Sequence, residues 1–522
     1  MYKNFSLDDP ATLVEAAKEL TNSPVPVNDA VVESFLSRFP LPLIFLALEN
    51  KGHMEGLEDA LVSCLRSVFG TKYGLSLLPL YMEFMLVGLK RGSPQIRCLA
   101  CEAVGHLLES DDETVSSVEL IANYDIYPIL LDCVINSTEQ VANAAMDVIK
   151  TLACTPDGLE IIFPAKTEET HLQNVVSRCS SSGRLRVLTL MVKLYATSPA
   201  LATSINKLNI FSFLEDEMHH SDDILAKLII LELFYELAEV PHCTNLLPRV
   251  SLIQFLSAII SDLSVNTLLR SRAMVTIGRL LGNEKILSSL DDQSIVAAIS
   301  TINKVHDQDS QDLNEWESAV GVLGMIGSTI RGGNLLLASS SSSTMQVIDA
   351  AFGAQGRSIQ LAGLHALGNL SGETRGESCV MLSDEAEETL KRLIYDASAK
   401  TSKLTPSGLF LSILQQDSEV RLAAYRMLSN LVFRPWCLME ICSKRDIIDF
   451  LTDPMTETTK IGMDAKYSCC KAIHKALSSS TLTGNPSYSK ISAKLEEALR
   501  RGPYAGASLR EAQPVVQTAD RF

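Results

Sequence analysis

Cys98 and Cys101 form a C-x-x-C pair, an arrangement in which two thiolates can share a metal ion or cycle through a disulfide. Neither chemistry is completed by the rest of the chain. Both cysteines fall inside one apolar helical pattern, no second pair follows at zinc-finger spacing, and the next cysteine is Cys133. Packing is the reading they support. Cys469-Cys470 and His242-Cys243 are adjacent pairs without a recognisable ligand set. His219-His220, flanked by Glu215-Asp216-Glu217 and Asp222-Asp223, has metal-binding residue types but reads as an exposed polar turn. No G-x-S-x-G elbow, phosphate-binding G-K-[ST], H-E-x-x-H or dinucleotide glycine fingerprint is present. No catalytic, cofactor or metal residue is assigned, and no enzyme is expected.

The elements that carry these residues repeat. Ile96, Leu99, Ala100, Ala103, Val104 and Leu107 make a single apolar stripe at helical spacing, opened by Ser93 as a cap and Pro94 at the first helical position. On this pattern Cys98, Glu102, Gly105 and His106 should look away from the core. The same beat returns at Val141, Ala226, Leu269, Glu315, Ile359, Val420 and Ala465, with a weaker copy near Arg184. Counted from Ile96, the steps are 45, 85 (across the weak copy), 43, 46, 44, 61 and 45 residues. Two shorter helical stretches fit between successive anchors, giving three helices per unit.

This period in a helical chain is the armadillo/HEAT signature. The fold expected is all-α: a right-handed superhelical solenoid of about ten to eleven helical repeats. Such stacks let a chain of 522 residues escape the size limit of a single core, because each unit buries its apolar face against its neighbours. Residues 1–90 read as capping helices, 91–370 as central repeats, 371–417 as an irregular insertion with helix or loop, and 418–505 as C-terminal repeats and cap. Residues 506–522 read as a disordered tail. Ser339 to Ser343, followed by Thr344, reads as a flexible loop. Gly321, Gly324 and Gly327 lie inside an apolar helix with no strand before them and no Lys-Ser/Thr after, so close helix packing is expected at all three.

Hydrophobic residues make up 46% of the chain, enough for a continuous core, and the net charge is −17. That field repels nucleic acid, which needs a basic stripe, and favours a basic protein partner. Locally, residues 460–501 are basic, with Lys460, Lys466, Lys471, Lys475, Lys490, Lys494, Arg500 and Arg501 against Asp464, Glu496 and Glu497. These read as a solvated helix face. The longest apolar stretch, Leu75 to Leu89, is broken by Pro79 and Glu83 and is too short to span a bilayer. The first residues lack a signal-peptide layout, so the cytosol is expected, with the nucleus as a second site. The protein is expected to be monomeric on its own.

Three C-terminal segments carry a family resemblance: Asp464-Ala465-Lys466-Tyr467, Gly484-Asn485-Pro486-Ser487-Tyr488 and Gly502-Pro503-Tyr504. Pro435-Trp436, Gly324-Met325-Ile326-Gly327-Ser328 and Gly158-Leu159-Glu160 support it further back. In this order on the repeat frame, over residues 90–505, they resemble the 26S proteasome non-ATPase regulatory subunit 5 family. The resemblance implies an armadillo-like chaperone of proteasome base assembly. It would hold the C-terminal domain of one base ATPase subunit on a concave face, with its assembly companions, and leave before the holoenzyme is complete. The alternative is a general armadillo adaptor, in ubiquitin signalling or trafficking, not tied to the proteasome.

No family motif fixes contact residues, so they are inferred from the repeat frame. Non-core positions four apart on the anchor helices are Glu102 and His106, Asp147 and Thr151, Glu232 and Glu236, Val275 and Arg279, His365 and Asn369, and Arg426 and Asn430. Nuclear-import receptors of similar fold use a regular Trp-and-Asn ladder for basic peptides. Here the only tryptophans are Trp316 and Trp436, while His365 and Arg426 stand where that ladder would need one. Import cargo is therefore not expected.

Overall fold

The computed structural model describes residues 10–22, 26–49, 55–109, 117–164, 171–240, 249–305, 312–339, 341–353, 355–376, 380–480 and 486–504. Among these every regular element is helical. The chain divides into two compact units, Met1–His242 and Cys243–Phe522.

The first unit contains α1 (Pro10–Asn22), α2 (Asp29–Arg38), α3 (Leu41–Glu49), α4 (Leu57–Phe69), α5 (Lys72–Leu77), a 3-10 turn (Leu78–Tyr81), α6 (Met82–Arg91), α7 (Pro94–Glu109), α8 (Ser117–Asn123) and α9 (Ile126–Asn136). It continues with α10 (Glu139–Ala153), α11 (Pro156–Ile162), α12 (His171–Arg178), α13 (Ser181–Thr197), α14 (Pro199–Lys207), α15 (Ile210–His220) and α16 (Ile224–Glu239). Every third helix packs on the next: α1 on α4, α4 on α7, α7 on α10, α10 on α13, and α13 on α16. The row thus reaches back through the residues read as N-terminal capping helices.

In the second unit come α17 (Arg249–Ser261), α18 (Thr267–Leu281), α19 (Glu284–Ser288), α20 (Asp292–Asn303), α21 (Leu313–Gly327), α22 (Ile330–Ser339), α23 (Ser341–Phe352) and α24 (Arg357–Leu370). After them come α25 (Asp384–Ala399), α26 (Pro406–Leu414), α27 (Ser418–Leu431), α28 (Pro435–Ser443), α29 (Arg445–Thr452), α30 (Lys460–Ser479) and α31 (Pro486–Arg501). Here α18, α21, α24, α27 and α30 form the row. All the anchor segments named from the sequence are rungs of these two rows. No single helix among the described residues is long and apolar enough to cross a membrane.

One rung shows why the helices form where they do. The Ser93 hydroxyl accepts from the Ile96 amide at 3.4 Å, capping α7 behind Pro94. In α10, Val141, Ala142, Ala145, Met146, Val148, Ile149, Leu152 and Ala153 are buried. Each large aliphatic side chain among them contributes roughly 1.5–3 kcal/mol by leaving water. Arginines then tie helix ends between repeats. Arg186 donates to the carbonyls of Val134, Ile135 and Ser137 at the end of α9. Likewise Arg331 reaches Leu287 and Leu290 at the end of α19, and Arg375 reaches Gly327 and Ser328 at the end of α21. The last carbonyls of a helix have no partner inside it and carry its negative pole, so a guanidinium suits them.

Several expectations need correction. Cys98 is buried, not outward-facing, because α7 is enclosed by α4 and α10 as well as by its own repeat. The serine run is not a flexible loop. Ser339 ends α22, and Ser341 opens α23, where Ser343 and Thr344 are fully buried. Asn303 donates to the Ser343 hydroxyl, and the Thr344 hydroxyl donates to the Leu336 carbonyl at 3.2 Å. Ser340 lies outside the described residues. Of the three glycines, a Cβ at Gly324 would lie 2.5 Å from Ala366 Cα, and one at Gly327 would strike Leu370, so both allow α21 to approach α24. Gly321 faces open space.

The longer step from Ile359 to Val420, read as an irregular insertion, holds α25 and α26, the usual two helices between rungs. Its additional length lies in the connection after Leu370 and in the 16 residues of α25. The expected tail, 506–522, lies outside the described residues, as do His242-Cys243 and Gly484-Asn485.

Candidate protein-docking surface

All the ladder residues inferred from the sequence project from anchor helices, and none is buried. Glu102 and His106 sit on α7, Asp147 and Thr151 on α10, and Glu232 and Glu236 on α16, all in the first unit. Glu102 takes two hydrogen bonds from Arg66 of α4, at 2.7 and 3.2 Å, so neighbouring rungs touch here through an exposed ion pair. The Thr151 hydroxyl bonds back to the Asp147 carbonyl at 3.1 Å. This leaves the exposed Asp147 carboxylate at the surface.

In the second unit Val275 and Arg279 sit on α18, His365 and Asn369 on α24, and Arg426 and Asn430 on α27. His365 and Arg426 come close enough to interact. Partial burial, with help from the Arg426 charge, holds the His365 pKa below its ordinary value, while Glu373 opposes the shift. The imidazole is therefore biased towards neutrality. Asn430 donates to the Arg426 carbonyl at 2.9 Å, which fixes its amide and leaves its oxygen free to accept.

The sequence reading named the copies on α13, α21 and α30 but took no ladder residues from these three. Lys471 and Lys475 of α30 lie 45 residues beyond Arg426 and Asn430, the same step that separates Val420 from Ala465, and both are exposed. Thr189 and Lys193 hold the corresponding places on α13. The step length itself was the available signal. Of the residues read as a basic end, four are engaged within the protein. Lys466 is buried and donates to the Asp453 carbonyl at 2.6 Å, and Lys494 pairs with Asp449 at 2.5 Å. Arg500 and Arg501 pair with Glu497.

The remaining candidates for chemistry are occupied otherwise. Burial pushes the Cys98 and Cys101 thiols up, Cys101 strongly, so neither is a ready thiolate. Glu215 to His220 form the end of α15 instead of a turn. Within that stretch Glu217 turns inward to Arg184 (2.8 Å) and Ser181 (3.0 Å). Among the described residues no group of three or more His, Cys, Asp or Glu could hold a metal. A groove of about 610 Å³ between α17 and α20 is lined by Ser257, Ser261, Gln254, Ala297 and Thr301, with Asp291 as its charged member. Asp291 is already capping α20 through Ser294. No set of ionisable groups converges there.

A family model described as the proteasome non-ATPase 26S subunit matches residues 59–519. The chain belongs to that family. Curated relatives named 26S proteasome non-ATPase regulatory subunit 5 are similar over most of their length. The Bos taurus protein is 24% identical over 420 residues, covering 80% of this chain and 79% of that one. The Homo sapiens protein is 22% identical over 421 residues, with the same coverage. Among solved structures, a crystal structure of importin beta aligns with a TM-score of 0.53 at 13% identity, covering 94% of this chain and 69% of importin beta. That likeness shows the helical-repeat fold alone.

In this member of the 26S-subunit family, the C-terminal resemblance motifs meet in space. The Tyr504 hydroxyl donates to Asp464 at 2.8 Å, while Lys466, Tyr467, Gly502 and Pro503 line one small recess. Pro486 opens α31, which packs on α29 and α30. Trp436, in the first turn of α28, packs against Tyr395 with ring centroids 5.9 Å apart. These motifs therefore close the end of the stack.

Proposed function

We propose that this protein is a non-enzymatic assembly chaperone of the proteasome base. It binds the C-terminal domain of a base ATPase subunit through its anchor-helix ladder, and it departs before the holoenzyme is complete. The observation that carries this reading is the family match over residues 59–519, which includes every ladder helix from α7 to α30. The ladder supports it with polar and charged side chains on successive rungs, a form suited to docking a folded domain and unsuited to catalysis. Its place of action is proposed to be the cytosol.

Affinity capture of the tagged full-length chain from cell lysate tests the reading. Base ATPases should be recovered and complete 26S particles should not. A second assay presents the separate C-terminal domains of the six base ATPases, and one of them should bind. Stoichiometric recovery of intact, active 26S particles would make the protein a structural subunit instead. Failure of every ATPase domain to bind would leave only the general adaptor reading.

A further inference from the structure

The ladder of the second unit has a sign that the composition of the chain conceals. From α18 to α30 its positions hold Val275 and Arg279, Gly321 and Met325, His365 and Asn369, Arg426 and Asn430, then Lys471 and Lys475. None is acidic, in a chain of net charge −17. Of the acids along the same stripes, Glu317 lies one turn before Gly321, Glu419 pairs with Arg357 at 2.8 Å, and Asp464 accepts from Tyr504 at 2.8 Å. Glu373 lies beside His365.

Helix ends attract cations through the macrodipole, and this could by itself place bases late in each helix. It does not explain the first position of each pair. Mid-helix in both units, that position carries Glu102, Asp147, Thr189 and Glu232 in the first unit, against Val275, Gly321, His365, Arg426 and Lys471 in the second. There the first unit holds three acids and the second holds none. The second position carries a base in both units, Lys193 in the first and Arg279 and Lys475 in the second, so the contrast in sign lies at the mid-helix position.

We propose that the second unit's ladder docks an acidic polypeptide segment, rich in Asp and Glu, of the partner protein. Arg426, Lys471 and Lys475 supply the attraction, and Asn369 and Asn430 supply hydrogen bonds to the bound chain. The proposal rests on the ladder being the docking surface, as above, but not on which protein docks. Nucleic acid is the poorer fit. Phosphate backbones are captured by dense cationic stripes, whereas these rungs alternate charge with Val275, Met325 and amides. Complementary charge of this kind sets encounter rate and orientation, so it weakens with salt.

The test uses the full-length chain and a labelled poly-glutamate peptide, with binding read by fluorescence anisotropy at rising salt. The peptide should bind, and added salt should weaken it. The triple variant Arg426→Glu, Lys471→Glu, Lys475→Glu should lose about tenfold or more in affinity. The pair Glu33→Lys, Glu160→Lys, exposed on α2 and α11 and outside the ladder, should not weaken it. All three substituted positions in the triple variant are exposed, and circular dichroism with thermal melting confirms that the fold is retained.

Equal binding to the wild type and the triple variant, absence of binding, or tighter binding of a single-stranded oligonucleotide than of poly-glutamate would each overturn the proposal. A parallel arm with the six ATPase domains separates the two ideas. If one domain binds regardless of the triple substitution, the acidic-segment proposal falls alone. If no domain binds while poly-glutamate does, the proteasome reading falls and the charge reading stands.

Discussion

Arg434 and Glu387 meet through two parallel hydrogen bonds, Nε to Oε2 at 2.6 Å and Nη2 to Oε1 at 2.9 Å, although 47 residues separate them. Arg434 is 1% exposed. Its remaining nitrogen donates to the carbonyls of Ser371 (3.1 Å) and Asn430 (3.3 Å), while Glu387 also accepts from the Leu382 amide at 2.8 Å. The pair therefore pins the connection after α24 to α25 and to the end of α27. A buried ion pair gains little over an apolar core when whole but costs much when half of it is left. Glu387→Ala or Arg434→Ala should each destabilise the second unit by about 3–5 kcal/mol. The double replacement Arg434→Met with Glu387→Leu should lose much less. Urea denaturation of the three variants checks the order; additive losses would contradict it.

The glycines of α21 give a paired prediction. Gly324→Ala forces a methyl against Ala366 and should cost about 1–3 kcal/mol through overpacking. Gly321→Ala meets nothing and removes a helix-breaking residue, so it should gain up to about 1 kcal/mol. Opposite shifts in melting temperature are expected, and equal shifts would mean that packing of α21 on α24 is looser than the geometry implies.

Thiol chemistry should be confined to the surface. Burial pushes Cys64 up to about 12, and Cys442 and Cys470 up to about 11, while Cys154 is exposed. At pH 8 Cys154 should react rapidly with a disulfide reagent, and those three should react only on unfolding. The sign for stability follows from the raised values. The buried thiols are neutral in both states below the ordinary value near 9. Above it the unfolded chain ionises first, so stability should fall as pH rises from about 9 towards the folded values. Denaturation midpoints measured across that range would show a decline, and a flat profile would refute it.

Function should depend on the ladder and leave the fold untouched. Substituting Glu102, Asp147, Arg279 and Arg426 together by alanine should abolish binding of the base ATPase C-terminal domain. Loss of the exposed Arg66–Glu102 pair should itself cost under about 1 kcal/mol. Pull-down with the purified domain, beside a thermal melt of the variant, measures both. Full binding by a folded variant would move the docking surface elsewhere.

The local sequence specified the rungs. An apolar residue every three or four positions is a property of the helix alone, so Val141 to Leu152 or Val420 to Leu431 reveal a buried stripe without any neighbour in view. The repeat step extended this to the register of Glu102, Asp147 and Arg426, and it would have placed Lys471 too. Stacking settled the rest. A stripe predicts one buried face, but a rung held between two others is enclosed on further sides, which is why Cys98 is interior; Gly321 lies on an equally flanked rung but on its open ladder face. Likewise the capture of Ser343 by Asn303, 40 residues away, and of Glu387 by Arg434 depends on how successive repeats settle against one another. Contacts between residues so far apart in the chain arise from packing geometry, which no local periodicity encodes.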